Sequence, residues 1–149
     1  MTSSLVLSNN FIKKSLEDNI PVTPMKLQKL LYLLYARYLY KFNEVLFADR
    51  FEKWQYGPVL SNVYHEFKYF GAKPISQFYS DSGGTVLIAD DSMPNFASCL
   101  NEVWNTFGQV PASTLSAFTH RNGSAWSKVN PPEFLRDEDI KEDGKNFFE

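Results

Sequence analysis

The sequence contains a single cysteine, Cys99, and two histidines among its 149 residues. One cysteine cannot form an internal disulfide, and together with two histidines it falls short of the ligands of a typical zinc site. Cys99 also lies in an apolar helical stretch, where a thiol is more typical of a buried, inert position than of a nucleophile. We therefore expect no metal ion and no cysteine chemistry.

The sequence also lacks the long apolar segments that direct a chain to a membrane. No apolar run approaches the ~20 residues that a membrane-spanning helix requires. At the N-terminus, Ser8-Asn9-Asn10 interrupts the apolar run that a secretory signal would need. We therefore expect a cytoplasmic protein that has no membrane partner.

Motifs for nucleotides and for catalysis are absent as well. Neither G-x-x-x-x-G-K-[ST] nor G-x-G-x-x-G occurs, so no nucleotide cofactor is predicted. Ser113, Ser116 and Ser124 stand in no nucleophile-elbow sequence. The net charge of −2 lacks the basic excess that is typical of nucleic-acid binding. We expect a protein that is not an enzyme, has no catalytic residues or cofactors, and is an unlikely partner for nucleic acid.

Aromatic residues, in contrast, are abundant. Hydrophobic residues make up 44% of the chain and aromatic residues 16%, with 13 phenylalanines and 8 tyrosines. This composition predicts one domain over residues 1–149, with a packed aromatic core and aromatic side chains left over for a partner. Acidic residues concentrate in residues 133–149, which we expect to form either a flexible tail or a solvated helix.

Hydrophobic periodicity predicts a mostly α (α+β) fold, a compact domain of five to six helices with a small antiparallel sheet or hairpin. Thr23 is a good N-cap residue and Pro24 suits the first helical position. Ser92 and Asp137 are the predicted caps of two later helices. The predicted helices cover approximately residues 4–18, 24–42, 60–70, 93–107, 111–119 and 138–148, with a short helical turn at Trp126.

The predicted second helix is apolar nearly all round. Its main stripe of leucines is complemented on the opposite side by Tyr32, Leu33, Ala36 and Tyr40, with Lys29 among them. Such a helix is either buried by its own chain or covered by a partner. We take it as the central helix of the domain.

Two regions predict extended structure. Residues 47–56 form an aromatic, strand-like segment that ends at Gly57-Pro58, and residues 75–79 and 85–89 flank the turn sequence Asp81-Ser82-Gly83-Gly84. Because this second arrangement is typical of a β-hairpin, we expect one there.

Strand alternation places Trp54 and Tyr56 on one face, which either packs on a helix or faces a partner. Gly57 is expected to provide a positive φ or a close approach, and Pro58 to end the strand. His120 and Arg121 follow a predicted helix, where they either bind its free carbonyls or pair with a partner.

Four blocks of the sequence match one family in order. They are TPMKLQKLLY at residues 23–32, FEKWQYGPV at residues 51–59, VYHEF at residues 63–67, and LSAFTHRNGSAW at residues 115–126. Together they resemble the Panacea domain of the SocA-like and GepA-like, phage-associated proteins. Ala125 and Phe118 depart from the proline and leucine that are usual at these positions.

The resemblance implies a helical antitoxin of a toxin–antitoxin pair, which neutralises a cognate toxin encoded by the adjacent gene through direct protein–protein binding. It also implies an alternative, a proteolytic adaptor that delivers a partner to a cytoplasmic AAA+ protease. A hydrolase or transferase centred on His120 is a further alternative. The candidate partner-binding residues are Trp54, Tyr56, Gly57, Pro58, His120, Arg121 and Trp126, with Tyr32 and Tyr40 as reserves.

Overall fold

The computed structural model describes residues 2–90 and 92–149. Within them the fold is mostly α-helical with one small antiparallel sheet, which confirms the predicted fold class. The elements are α1 (Ser4–Asp18), α2 (Pro24–Phe42), β1 (Glu52–Trp54), β2 (Gly57–Val59), α3 (Ser61–Phe67), α4 (Pro94–Phe107), α5 (Ala112–Thr119) and α6 (Asp137–Asn146), with 3₁₀ turns at Lys68–Phe70 and Ala125–Lys128.

Local capping explains where the first two helices begin and end. The side chain of Thr23 accepts a hydrogen bond from the Lys26 N–H (3.3 Å), and Pro24 occupies the first turn of α2, as predicted. Asn43 then ends the helix in the left-handed conformation, with φ at 52°. Both termini of α2 are therefore specified by residues that are adjacent in sequence.

Helix α2 runs through the centre of the domain. Leu30, Leu31, Leu33 and Leu34 are fully buried, although they point in different directions around the helix. Helices α1, α4, α5 and α6, together with β2, pack around it. The chain itself therefore covers both faces of this helix, as its apolar composition predicts.

The sheet is a tight hairpin of β1 and β2. Glu52 pairs with Val59, Lys53 with Pro58 and Trp54 with Gly57, so Gln55 and Tyr56 form the turn. The prediction placed Pro58 at the end of a strand, whereas it lies inside β2. A proline is tolerated there because this two-stranded sheet consists of edge strands only.

The hairpin predicted at residues 75–89 is wrong, because this segment forms no strand. The turn is present, with the Asp81 N–H donating to the Thr85 carbonyl (2.9 Å). The flanking backbone is instead held by an asparagine of α1: Asn9 donates to the carbonyls of Tyr79 (2.8 Å) and Leu87 (2.9 Å) and accepts from the Tyr79 N–H (2.8 Å). Asn10 pairs in the same way with both backbone groups of Ala89.

Two predicted helix starts are displaced by one residue. Helix α4 has Met93 at its N-cap rather than Ser92, and α6 has Arg136 rather than Asp137; neither makes a side-chain capping bond. The first turn of each helix nevertheless contains residues that favour a helix start: Pro94 begins α4, and acidic residues fill the first turn of α6. Proline and acidic side chains stabilise the first turn without a cap.

The acidic C-terminal segment packs on α2. Ile140, Asp143 and Phe147 are buried, and Gly144 lies so close to Ala36 that a Cβ would overlap the backbone carbonyl of that residue. The segment therefore forms a helix, α6, that packs one face on α2 and leaves Glu138 and Glu142 exposed on the other. Nowhere in the described chain does a helix combine the length and the apolar character needed to cross a membrane.

Candidate partner-binding surface

The turn of the β1–β2 hairpin is fixed from behind by two side chains. The indole N–H of Trp126 donates to the Trp54 carbonyl (2.7 Å), and the Ser116 hydroxyl donates to the Tyr56 carbonyl (2.5 Å). Lys53 adds a cation–π contact, with Nζ 4.1 Å from the Trp126 ring centroid. The second and fourth family-like blocks of the sequence therefore meet here in one rigid unit.

The outer side of this unit carries aromatic rings. Tyr56 is 56% exposed at the tip of the turn. The Trp54 ring packs against Tyr64 of α3 at a centroid distance of 4.8 Å, and its N–H donates to the Glu52 carboxylate (3.0 Å). Because the Trp54 and Tyr64 rings hold one another in place, they present apolar area at little entropic cost.

These rings line a groove of about 430 Å³ between the start of α2, the hairpin and α3. This volume lies within the range of ligand pockets in proteins. Its walls are mainly apolar. The lining residues are Pro24, Met25, Gln28, Lys29, Trp54, Gln55, Tyr56, Val59, Val63, Tyr64, Lys68 and Gly71.

Lys29 is the most buried charged side chain of the groove, at 1% exposure. Its Nζ donates to the Pro58 carbonyl (3.1 Å). A Cβ on Gly57, which has φ at +121°, would lie 2.9 Å from that Nζ and 3.0 Å from the Thr119 hydroxyl oxygen. Gly57 therefore provides both the positive φ and the close approach expected of it.

Burial lowers the pKa of Lys29 to about 7, since the charged form is desolvated. Sequence reasoning missed this residue. The signal was available, because a helix that is apolar nearly all round must bury its few polar residues too. Lys26, Gln28 and Lys29 are all buried in the first turns of α2.

Gln28 secures the opposite wall of the groove. Its amide donates to the Leu60 carbonyl (3.0 Å) and accepts from the Leu60 N–H (2.9 Å). Leu60 is the N-cap residue of α3 and offers no side-chain cap. The buried amide of Gln28 therefore fixes the start of α3 against α2.

His120 and Arg121 both contact aromatic rings of the domain, and Arg121 is exposed as well. The His120 ring lies 5.3 Å from Trp126, and its Nδ1 is buried without a hydrogen-bond partner among the described residues. The Arg121 guanidinium lies 4.9 Å from the Phe118 ring centroid and 4.8 Å from that of Phe147, where it bridges α5 and the C-terminal segment. Neither residue lines the groove.

The remaining candidate partner-binding residues differ in their exposure. Tyr32 is fully buried and donates to Asp143, so its prediction as a reserve contact does not fit the structure. Gly57 and Pro58 are also buried and shape the hairpin rather than offer a surface. Tyr40 is exposed, but it lies eleven positions beyond Lys29 on α2, roughly 16 Å along the helix.

The described residues show neither a metal-binding cluster nor an accessible cysteine. They contain no group of three His, Cys, Asp or Glu side chains arranged to hold a metal ion. Cys99 is buried, and desolvation raises the pKa of its thiol to about 11. A thiol in that state is a poor nucleophile.

Comparison with known proteins agrees with the resemblance that the four sequence blocks indicate. The family model described as "Antitoxin SocA-like, Panacea domain" matches residues 27–127, which include the hairpin, the α3 wall and Trp126. The chain is 30% identical over 127 residues to Antitoxin SocA of Caulobacter vibrioides (strain NA1000 / CB15N), a match that covers 83% of this chain and 68% of that protein. No solved structure matches the chain significantly.

Proposed function

Because the chain belongs to the SocA-like antitoxin family with a Panacea domain, we propose that it is an antitoxin that neutralises a cognate toxin by direct binding. The partner is the product of the adjacent gene. The protein acts by occupying the toxin rather than by a reaction of its own.

The observation that carries this proposal is the aromatic groove on a rigid hairpin. Binding energy in protein interfaces concentrates in a few aromatic and arginine side chains on preorganised surfaces. Trp54, Tyr56 and Tyr64 form such a set, since the hairpin is held from behind by Trp126 and Ser116. An interface of typical size buries about 1,600 Å² in total, so the groove would form its centre and not its whole extent.

Co-expression with the adjacent gene tests the proposal. The wild-type chain should restore growth and co-purify with the neighbouring gene product, whereas Tyr56→Ala should weaken both effects. Tyr69→Ala is the matched control, because Tyr69 is 70% exposed but does not line the groove. A toxic neighbour that is neither neutralised nor bound by the wild-type chain would contradict the proposal.

Neither alternative function gains support from a specific contact. The adaptor hypothesis comes from the family resemblance; a flexible C-terminal tail would have suited it as a handle, but α6 is packed against α2. The hydrolase hypothesis relied on His120, yet no described residue hydrogen-bonds its buried Nδ1 to orient the ring as a base. The binding hypothesis has a formed groove to support it.

A further inference from the structure

Residues 85–89 form an extended segment that is held along one edge. The asparagines of α1 bind the Leu87 carbonyl and both backbone groups of Ala89. These residues are two positions apart, which is the spacing of extended backbone, where the N–H and C=O groups of alternate residues point to the same side. The groups of Val86 and Ile88 therefore point to the opposite side, away from α1.

This second edge has no partner within residues 2–90 and 92–149. Neither the N–H nor the C=O of Val86 or Ile88 forms a hydrogen bond there. The side chains of Val86, Leu87 and Ile88 are exposed as well, at 44%, 46% and 38%. Since successive side chains of a strand point to opposite faces, neither face of the segment is covered. An apolar edge with unpaired backbone groups is a template for pairing with another strand.

A cavity of about 570 Å³ lies where this edge ends. The next two residues of the chain, Ala89 and Asp90, belong to its lining. Helices α2 and α4 and the loop after α2 supply apolar walls, among them Tyr38, Leu46 and Phe96. A strand that paired along the edge would thus bring one of its ends to the cavity.

The charge of this cavity is negative only. Glu44 and Asp90 are its charged lining residues, and neither forms an ion pair with a described residue. Burial and the Glu44 carboxylate raise the pKa of Tyr38, so this carboxylate lies close to the cavity wall. A lysine or arginine side chain suits the cavity, because its stem packs on apolar surface while its charge meets the carboxylates.

We propose that this surface binds an extended segment of another protein, which pairs with the backbone of Val86 and Ile88 and inserts a lysine or arginine beside Glu44 and Asp90. In such strand addition the main chain provides affinity, and a pocket for a side chain provides specificity. The inference goes beyond the proposed function, since this surface shares no residue with the aromatic groove.

Charge complementarity favours a basic partner strand over a second copy of this chain. Between Lys73 and Arg121 the sequence contains no lysine or arginine, whereas Asp81 and Asp90 flank the segment. Two copies paired edge to edge would bring these acids together without a base from either segment, which is unfavourable. The acidic flanks thus oppose self-pairing and attract a strand with basic ends.

Three labelled peptides test the proposal with the full-length chain. Fluorescence anisotropy compares KKVTVTVKK with EEVTVTVEE, which has the same strand pattern and the opposite charge, and with KKVTPTVKK, which keeps the charge but interrupts the ladder with proline. The first peptide should bind at least tenfold more tightly than either of the others. If it does not bind, or if either of the others binds equally well, the proposal is overturned.

Two substitutions at one position test the backbone edge. Ile88→Pro removes the outward N–H and should weaken the binding of KKVTVTVKK at least tenfold. Ile88→Thr is the matched control, because it loses the same apolar side chain but keeps the N–H, and it should bind nearly as well as the wild type. If Ile88→Pro does not fold, amide exchange in the wild type replaces it: the bound peptide should slow exchange at Val86 and Ile88, and unchanged rates at both overturn the edge.

A pair of double variants tests the cavity. Glu44→Gln with Asp90→Asn removes both charges, while the new amide at position 90 can still accept the Ser92 N–H. This variant should bind KKVTVTVKK at least tenfold more weakly. Glu138→Gln with Glu142→Gln removes the same charge from the exposed side of α6 and should leave binding unchanged. Equal affinities of the two double variants would overturn the cavity as the site of the basic residue.

Sedimentation of the free chain distinguishes the two occupants. The wild type and Ile88→Thr should have the same oligomeric state as Ile88→Pro, since no second copy uses the edge. A dimer that Ile88→Pro dissociates and Ile88→Thr retains would show that the edge belongs to a second copy, which overturns the proposal.

Discussion

The hydroxyl of Tyr32 donates a hydrogen bond of 2.5 Å to the carboxylate of Asp143, which joins α2 to α6 inside the protein. The same carboxylate accepts the Ala125 N–H at 3.1 Å and is 2% exposed. Desolvation raises the pKa of Asp143, although both hydrogen bonds oppose this shift. Three distant segments of the chain thus depend on one buried acceptor.

We expect Asp143→Ala to lower the free energy of unfolding by about 2–4 kcal/mol, because the Tyr32 hydroxyl and the Ala125 N–H both lose their acceptor. Asp143→Asn should stay within about 1 kcal/mol of the wild type, since the amide oxygen can accept both bonds without a buried charge. Urea denaturation at pH 7.5 measures both variants. Equal losses in the two would show that the acceptor has no particular role.

Lys29 predicts a specific pH dependence of stability. Its pKa is about 7 in the folded protein and 10.5 as an ordinary lysine, so the unfolded chain binds more protons between these values. The stability of the wild type should therefore rise with pH in this window by up to about 1.4 kcal/mol per unit. Relative to the wild type, Lys29→Met should be most stable below pH 7 and lose that advantage by pH 10.

Urea midpoints at pH 6, 7.5 and 9 provide the measurement. Lys13→Met is the control, because it removes a lysine from an exposed position of α1. Comparing each variant with the wild type at every pH cancels the titration of all other groups. A difference between Lys29→Met and the wild type that stays constant with pH would mean that Lys29 keeps an ordinary pKa.

Gly57→Ala should destabilise the protein by about 3 kcal/mol, which combines backbone strain at positive φ with overlap against Lys29. Gly71→Ala is the matched control. Gly71 also has positive φ, at 61°, but a Cβ there would meet no atom within 4 Å. Its cost should be only the backbone part, about 1–2 kcal/mol; equal costs in thermal denaturation would show that the contact with Lys29 is unimportant.

Gly144→Ala tests the packing of α6 on α2. Replacing glycine by alanine inside an exposed helix normally stabilises it by about 1 kcal/mol. At Gly144 we expect the opposite sign, a loss of about 2–3 kcal/mol, because the new Cβ overlaps the Ala36 carbonyl. Glu142→Ala, on the exposed side of α6, should change the unfolding midpoint little.

Sequence reasoning succeeded where the signal was local. Thr23 and Pro24 specify the start of α2 through adjacent residues, and the uniform apolarity of this helix correctly predicted that it is central and covered. It failed where the partner is distant in sequence: Asn9 replaces the expected ladder of a hairpin some 70 residues away, and Tyr32 bonds to a residue 111 positions later.

The candidate site shows the same division. The strand–glycine–proline unit and its aromatic residues were recognisable from their pattern, and Trp126 lies beside them in the fold. Lys29 was overlooked because its character depends on what buries it. The apolar surroundings in α2 indicate that Lys29 is buried, but its contacts with Gly57 and Pro58 involve residues distant in sequence and cannot be deduced from α2 alone.

The asparagines of α1 hold the segment of residues 79–89 solely through its backbone carbonyls and N–H groups. These hydrogen bonds do not depend on the side chains of the segment, and the side chains of Val86 and Ile88 are exposed. The loop is accordingly a natural graft site: an epitope tag or a fluorophore-bearing cysteine placed at these outward positions would leave the anchorage intact.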